Sequence, residues 1–282
     1  MASVRGSCLC GAVAWRAAGP FARMLHCHCS ICRKAHGSAF ATYVAAPAAG
    51  FALECGREQV AFYESSPGFR RAFCGRCGSV VPGEPGEGDF FIPAGPLDGD
   101  PAAGPQSHIF VGSKAPWHEI TDAAEQFAAY PGFDGLAGPE PRSPAREGVT
   151  RGSCLCGAVA FEIEGPAELI INCHCSRCRK ARAAAHGSNL FARDAQFRWV
   201  QGQETVASYK VPDAERFTSF FCPTCGASLP ILREGLAIVP AGLLDDDPGG
   251  RERLHIFVGS KAPWYEITDG LPQFEEYAPG QR

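Results

Sequence analysis

The chain has 282 residues, 45% of them hydrophobic, with a formal net charge of −4 and an isoelectric point near 6.1. Such a length accommodates two domains with cores of their own, and the acidic balance gives no global basic surface of the kind that drives nucleic-acid binding by counterion release. The opening MASVRGSCLCGAVAW has no apolar signal core, and no later stretch approaches the roughly 18 uninterrupted apolar residues of a membrane span, so a soluble cytoplasmic protein without nucleic-acid or membrane partners is expected.

In chain order, RGSCLCGAVAW (5–15) places Cys8 and Cys10 before a strand-like run, and HCHCSICRK (26–34) follows with Cys27, Cys29 and Cys32. FALECG and VAFYE read as short strands rich in β-branched and aromatic residues. FCGRCGS (73–79) is a C-x-x-C-G knuckle, a tight turn in which Gly78 can take positive φ. After the turns VPGEPGEGD and PLDGDPAAGP, HIFVG is a further strand and SKAPW a turn with a buried Trp117, while TDAAEQFAAY (121–130) is a helix candidate. LAGPEPRSPARE (136–147) has three prolines, mixed charge and no apolar period, the composition of an extended linker.

Beyond it the motifs return. RGSCLCGAVAF (151–161) repeats the first segment at an offset of 146, FCPTCGA (221–227) the knuckle at 148, and HIFVGSKAPWYEITD (255–269) its counterpart at 147 with Tyr265 in place of His118. SRCRKARAAA, after the second C-x-C, is the other helix candidate. The chain therefore reads as a tandem duplication, with mostly β domains over 1–135 and 148–282 built from small antiparallel sheets.

Fourteen of the fifteen cysteines fall into C-x-C, C-x-C-x-x-C and C-x-x-C groups. Thiolates at i and i+2 of an extended segment point the same way and can share one metal, so metal binding explains the spacing better than disulfides. Each copy has seven such cysteines, which divide as four plus three. A knuckle supplies two ligands and meets a second pair, giving Cys8, Cys10, Cys74 and Cys77 as one closed zinc site and Cys154, Cys156, Cys222 and Cys225 as the other. Cys27, Cys29 and Cys32, with Cys173, Cys175 and Cys178, remain as catalytic sites that keep one coordination position open, for up to four zinc ions per chain. Three thiolates leave such a site net negative, and Arg33, Lys34, Arg179 and Lys180 directly after the last ligand are candidates to meet an anionic ligand. His28 and His174, between ligands, point away from the metal and read as supporting residues; Cys55 belongs to no group and reads as a buried or free thiol.

G-S-C-x-C-G-x-V, C-H-C-x-x-C-R-K, F-C-x-x-C-G and H-I-F-x-x-S-K-A-P-W, in this order, resemble the glutathione-dependent formaldehyde-activating enzyme family, which includes centromere protein V. The resemblance covers nearly all of both copies and implies a β-tent fold, a structural zinc on the C-x-C and C-x-x-C pairs, and a second zinc on C-x-C-x-x-C beside the substrate. It further implies a carbon-sulfur lyase that adds a thiol such as glutathione to formaldehyde or another small aldehyde. The alternative is a zinc-stabilised binding module without catalysis, like the chromatin-associated branch of the family.

Overall fold

The computed structural model describes residues 3–132 and 146–280. The expected linker 136–147 thus lies outside the described residues up to position 145. Alternation of burial drives the first hairpin: Ser3–Ser7 pairs antiparallel with Ala14–Ala18, burying Val4, Trp15 and Ala17 and exposing Arg5 and Arg16. Phe51–Cys55 completes this three-stranded sheet. The turn inside the hairpin carries Cys8 and Cys10.

The larger sheet of the first copy is ordered Glu125–Gln126, Pro105–Ile109, Met24–Cys27, Ala41–Pro47, Asp89–Pro93. Ala41–Pro47 pairs antiparallel with both of its neighbours, whereas Pro105–Ile109 runs parallel to Glu125–Gln126 and to Met24–Cys27, which sets His26 beside His108. Val60–Ser66 and Phe69–Cys74 form a separate hairpin leading into the knuckle. The second copy repeats this arrangement with Val149–Ser153, Ala160–Glu164 and Phe197–Gln201, a sheet of six strands centred on Ala167–Cys173 and Gly187–Arg193, and the hairpin Ala207–Lys210 with Thr218–Phe221.

Two short α-helices follow the C-x-C-x-x-C motifs, α1 (Ser30–His36) and α2 (Ser176–Arg182). Helix α2 stops before the Ala-rich end of its sequence because Ala183 turns to φ 51°. His36, from the first copy, donates through Nδ1 to the carbonyls of Arg182 and Ala183 at 2.8 and 3.1 Å, satisfying groups that a helix end leaves open. The segment 121–130, expected as a helix, is extended apart from turns. Asp122 accepts from the Ala124 amide at 2.9 Å, and Phe127 donates its amide to the His108 carbonyl at 2.8 Å, so local side-chain bonds and sheet pairing displace the helical ladder.

The copies interlock. One continuous core joins Val4, Met24, Phe40 and Trp117 of the first to Phe161, Ile170, Leu190 and Trp264 of the second. The knuckle glycines sit at reciprocal points of this contact: Gly78, φ 79°, faces the Phe221 ring, and Gly226, φ 73°, faces the Phe73 ring. A Cβ at Gly78 would lie 2.4 Å from Phe221 Cγ, and one at Gly226 2.5 Å from Phe73 Cγ. Gly78→Ala combines left-handed strain with overpacking at the copy interface and is expected to cost about 3 kcal/mol, read as a lower urea midpoint at unchanged slope. A loss below about 0.5 kcal/mol would show that the interface relaxes freely around the knuckle.

Candidate metal centres

The sulfurs of Cys8, Cys10, Cys74 and Cys77 lie within 4.8 Å of one another, as do those of Cys154, Cys156, Cys222 and Cys225. The distances are 3.4 Å for Cys8 to Cys10 and 3.8 Å for Cys10 to Cys74, and 3.5 and 3.7 Å for the matching pairs of the second copy. A tetrahedron with metal–sulfur bonds of about 2.3 Å has edges of about 3.8 Å, so the donor sets fit zinc in chemistry and in size. Amides of Val13 and Val159 donate to Cys8 and Cys154 at 3.3 Å, and Ser79 Oγ lies 3.4 Å from Cys77 Sγ. Such bonds orient thiolate ligands and spread their charge.

Cys27, Cys29 and Cys32 form a third group within the same 4.8 Å limit, and Cys173, Cys175 and Cys178 a fourth. Local structure explains the spacing. Cys27 ends a strand and Cys29 is the N-cap of α1, its sulfur accepting from the Cys32 amide at 3.3 Å, which turns Cys32 back toward the strand end. Cys175 caps α2 in the same way, accepting from the Cys178 amide at 3.4 Å. Cavities open on both three-thiol groups: about 290 Å³ beside Cys27 and Cys32, and about 510 Å³ beside Cys173, Cys175 and Cys178.

Behind each C-x-C runs a buried chain of polar groups. His28 Nε2 is 2.9 Å from His108 Nδ1, and His108 Nε2 is 2.9 Å from Asp122; His174, His255 and Asp269 repeat the pattern at 2.9 and 2.9 Å. With the aspartates accepting, His108 and His255 carry their proton on Nε2, and His28 and His174 donate through Nε2. Burial lowers the His28 pKa to about 2, so the ring stays neutral, and the chain fixes the peptide between the two ligands. His118, where the second copy has Tyr265, crosses to Glu252 at 2.8 Å. Burial pushes the Glu252 carboxyl up, and the charge and hydrogen bond of His118 pull it further down, below its ordinary range.

Lys34, Lys180 and Arg179, three of the four cations after the last ligands, make their bonds elsewhere than the sequence suggested. Lys34, buried, meets Asp245 at 2.7 Å and the Ser153 hydroxyl at 2.6 Å in the second copy; Lys180 meets Asp98 and the Ser7 hydroxyl in the first, both at 2.6 Å. Arg179 donates to the Gly95 carbonyl at 3.1 Å, and the Arg33 carbonyl packs against Gly242. Position i+2 from a helical ligand faces away from it, so Lys34 and Lys180 staple the copies together, whereas Arg33 stays within electrostatic reach of both Cys29 and Asp245. The cations beside the open thiols are residues the sequence reading passed over. Arg71 Nη2 lies 3.5 Å from Cys32 Sγ and Nη1 donates to Tyr43 Oη at 3.2 Å. Burial opposes the charge of Arg71, but Cys32, Tyr43 and Cys29 around it outweigh this and raise its pKa. In the second copy Arg182, lowered to about 10 by burial, lines the cavity and donates to Asn189 at 3.2 Å. The paired Arg70 and Arg71, just before the knuckle, were the available signal. Trp117 is buried as expected, as is Trp264, and Cys55 is a free thiol at an exposed position, the second of its two expected readings.

A mostly β chain with two sets of one closed four-thiol cluster and one three-thiol cluster at a cavity defines a tandem metal-binding protein. The family model described as glutathione-dependent formaldehyde-activating enzyme matches residues 3–113 and again 149–260, and the chain belongs to that family. A Halomonas elongata protein named "Putative glutathione-dependent formaldehyde-activating enzyme" is 33% identical over 128 residues, covering 42% of this chain and 81% of the relative. A crystal structure of a Rhodobacter sphaeroides protein matches at 28% identity over 36% of this chain and 97% of its own, with a TM-score of 0.28.

Two measurements test the assignment of the thiols. Anaerobically purified protein is expected to hold close to four zinc ions per chain, the two in three-thiol groups yielding first to a chelator; two ions, with all six C-x-C-x-x-C thiols freely titratable, would remove the open sites. Independently, Lys34→Met removes the cation opposite the buried Asp245 and leaves it the Ser153 hydroxyl; the change is expected to cost about 3 kcal/mol, whereas Lys34→Met with Asp245→Leu recovers most of the loss. Equal losses in the single and double variants would show that the pair is not what holds the copies together.

Proposed function

We propose that the protein is a cytoplasmic zinc-dependent enzyme of the carbon-sulfur lyase type that adds a thiol such as glutathione to formaldehyde or another small aldehyde, with 1–135 and 148–282 as its two domains. The observation that carries this reading is the division of the thiols: the two three-thiol groups each line a cavity of small-molecule size, whereas the four-thiol groups have the full donor set of a closed site. The matched family and the Halomonas relative support the substrate pair.

In this reading Cys27, Cys29 and Cys32, with Cys173, Cys175 and Cys178, hold a zinc ion each. When bound, zinc supplies a positive charge that favours the deprotonated form of a thiol and one coordination position for it. The helix N-caps at Cys29 and Cys175 and the buried His28 and His174 chains keep the three sulfurs in place without rearrangement. Arg177, Arg182, Arg216 and Arg233 around the larger cavity bind the carboxylates of the thiol, and Phe217, Leu232 and Tyr277 shield it from water. With the thiol so oriented, its sulfur adds to the carbonyl carbon; the C–S bond forms, the π pair moves to oxygen, and that oxygen takes up a proton as the thiol proton is lost to solvent. The sum is thiol plus aldehyde giving a hydroxyalkyl thioether, and the reverse breaks the same C–S bond. No oxidant or reductant is required.

Cys29→Ala combined with Cys175→Ala is expected to abolish thiol-dependent loss of formaldehyde while leaving the two closed sites loaded and the chain folded. Unchanged turnover in that double variant, followed by loss of free formaldehyde, would sink the mechanism. Wild-type protein inactive with several thiols and aldehydes would favour the binding module.

A further inference from the structure

The two open sites lie at equivalent positions of a duplicated fold, yet their walls differ. In the first copy the wall facing Cys32 is built by Arg71 and Tyr43. Arg71 spans Ser65 Oγ at 3.1 Å, Tyr43 Oη at 3.2 Å and Cys32 Sγ at 3.5 Å, and Tyr43 Oη lies 3.7 Å from the same sulfur. Tyr43 is itself fixed. His36 Nδ1 is committed to carbonyls of the second copy, so its Nε2 accepts, and Tyr43 donates to it at 3.0 Å. Burial lowers the His36 pKa to about 4, in keeping with a neutral ring.

At the same register the second copy has Asn189 for Tyr43 and Ser219 for Arg71. Ser219 turns its hydroxyl to the Cys77 carbonyl of the other copy at 3.3 Å, away from the thiols. The space so vacated belongs to the cavity of about 510 Å³, against about 290 Å³ in the first copy. Ligand pockets for molecules of drug or cofactor size start near 300 Å³ (about the smaller value) and extend to about 1,000 Å³. The rim differs in charge as well: Arg177 stands where the first copy has Ile31, and Arg216, paired with Glu215, and Arg233 join it at the larger cavity, against Arg70 and Arg71 at the smaller one.

We propose that the two open sites are not equivalent: the Cys173, Cys175 and Cys178 site takes the bulky, doubly carboxylated thiol, and the Cys27, Cys29 and Cys32 site, walled by Arg71 and Tyr43, excludes it and admits only a small ligand. This rests on the reading of both groups as thiol sites. The selection is steric and electrostatic. A long peptide thiol finds room and arginines in one copy; in the other the cavity is smaller and its wall beside Cys32 is a guanidinium bonded to three side chains.

Zinc-loaded and cobalt-substituted full-length protein separate the possibilities by binding alone. Calorimetric titration with glutathione is expected to give one equivalent per chain, lost with Cys175→Ala and kept with Cys29→Ala. 2-Mercaptoethanol is expected to perturb the sulfur-to-cobalt absorption of both single variants. Arg71→Ser with Tyr43→Asn is expected to raise the glutathione stoichiometry to two, or to strengthen binding to the Cys175→Ala chain by at least about tenfold. Two equivalents of similar affinity on the wild-type chain would overturn the proposal while leaving the thiol-site reading intact. Loss of glutathione binding with Cys29→Ala rather than Cys175→Ala would overturn it too, as would a Cys175→Ala chain silent to 2-mercaptoethanol. No response of the wild-type chain to any thiol would overturn the thiol-site reading itself.

Discussion

The contact of Lys34 with Asp245, at 2.7 Å in a place almost closed to solvent, is the constraint on which the sites depend. Removing two charges from water is costly, and the cost is recovered only at close range with further hydrogen bonds, here from Lys34 to the Ser153 hydroxyl and from that hydroxyl to Asp245. The pair therefore tolerates one placement of α1. The same short helix carries Cys32 on its other side and begins at Cys29, so fixing its back against the second copy fixes its front at the thiol cluster. Lys180 and Asp98 do the same for α2 at a more exposed position. Each open site is thus held in shape by the copy to which it does not belong.

Much of this was legible in the sequence because cysteine spacing is a local signal. C-x-C in an extended segment and C-x-x-C-G in a tight turn each dictate which way two sulfurs point, and the count of seven per copy divides in one sensible way. The mostly β character was equally visible in short apolar runs between glycines and prolines. What escaped is tertiary. The basic residues after Cys32 and Cys178 look like ligand-binding groups in one dimension, but helical periodicity turns Lys34 and Lys180 toward the other copy. Arg71 reaches Cys32 from 39 residues away, and nothing in the spacing of FRRAFC marks which arginine faces the thiols. The segment 121–130 has good helix formers, and lost to pairing with the strand that holds His108.

The histidines show how one framework is reused with different contents. His28, His108 and Asp122 have the counterparts His174, His255 and Asp269 with matching distances, so the support of the C-x-C is the same in both copies. At the copy interface the correspondence breaks: His26 faces Asn172, Phe40 faces His186, and His118 faces Tyr265 across the pseudo-symmetric offset. These residues pack together as a mixed aromatic cluster, with Phe40 edge-on to His186 at 5.5 Å and His174 stacked on Tyr265 at 5.8 Å. A centre built from unlike residues fits only one way round, which gives the two halves a fixed sense.

The reciprocal seating of Phe73 over Gly226 and Phe221 over Gly78 has a consequence for how such a molecule can change. In an assembly of two identical chains every substitution arrives twice, and an alteration that helps one pocket is imposed on the other. Fusion lifts that restriction for the walls of the pockets, where Arg71 and Ser219 already differ, but not for the seam, where each ring is shaped to a glycine in the opposite half. The pockets are free to diverge in ligand, and the seam obliges them to do so as a single heritable object.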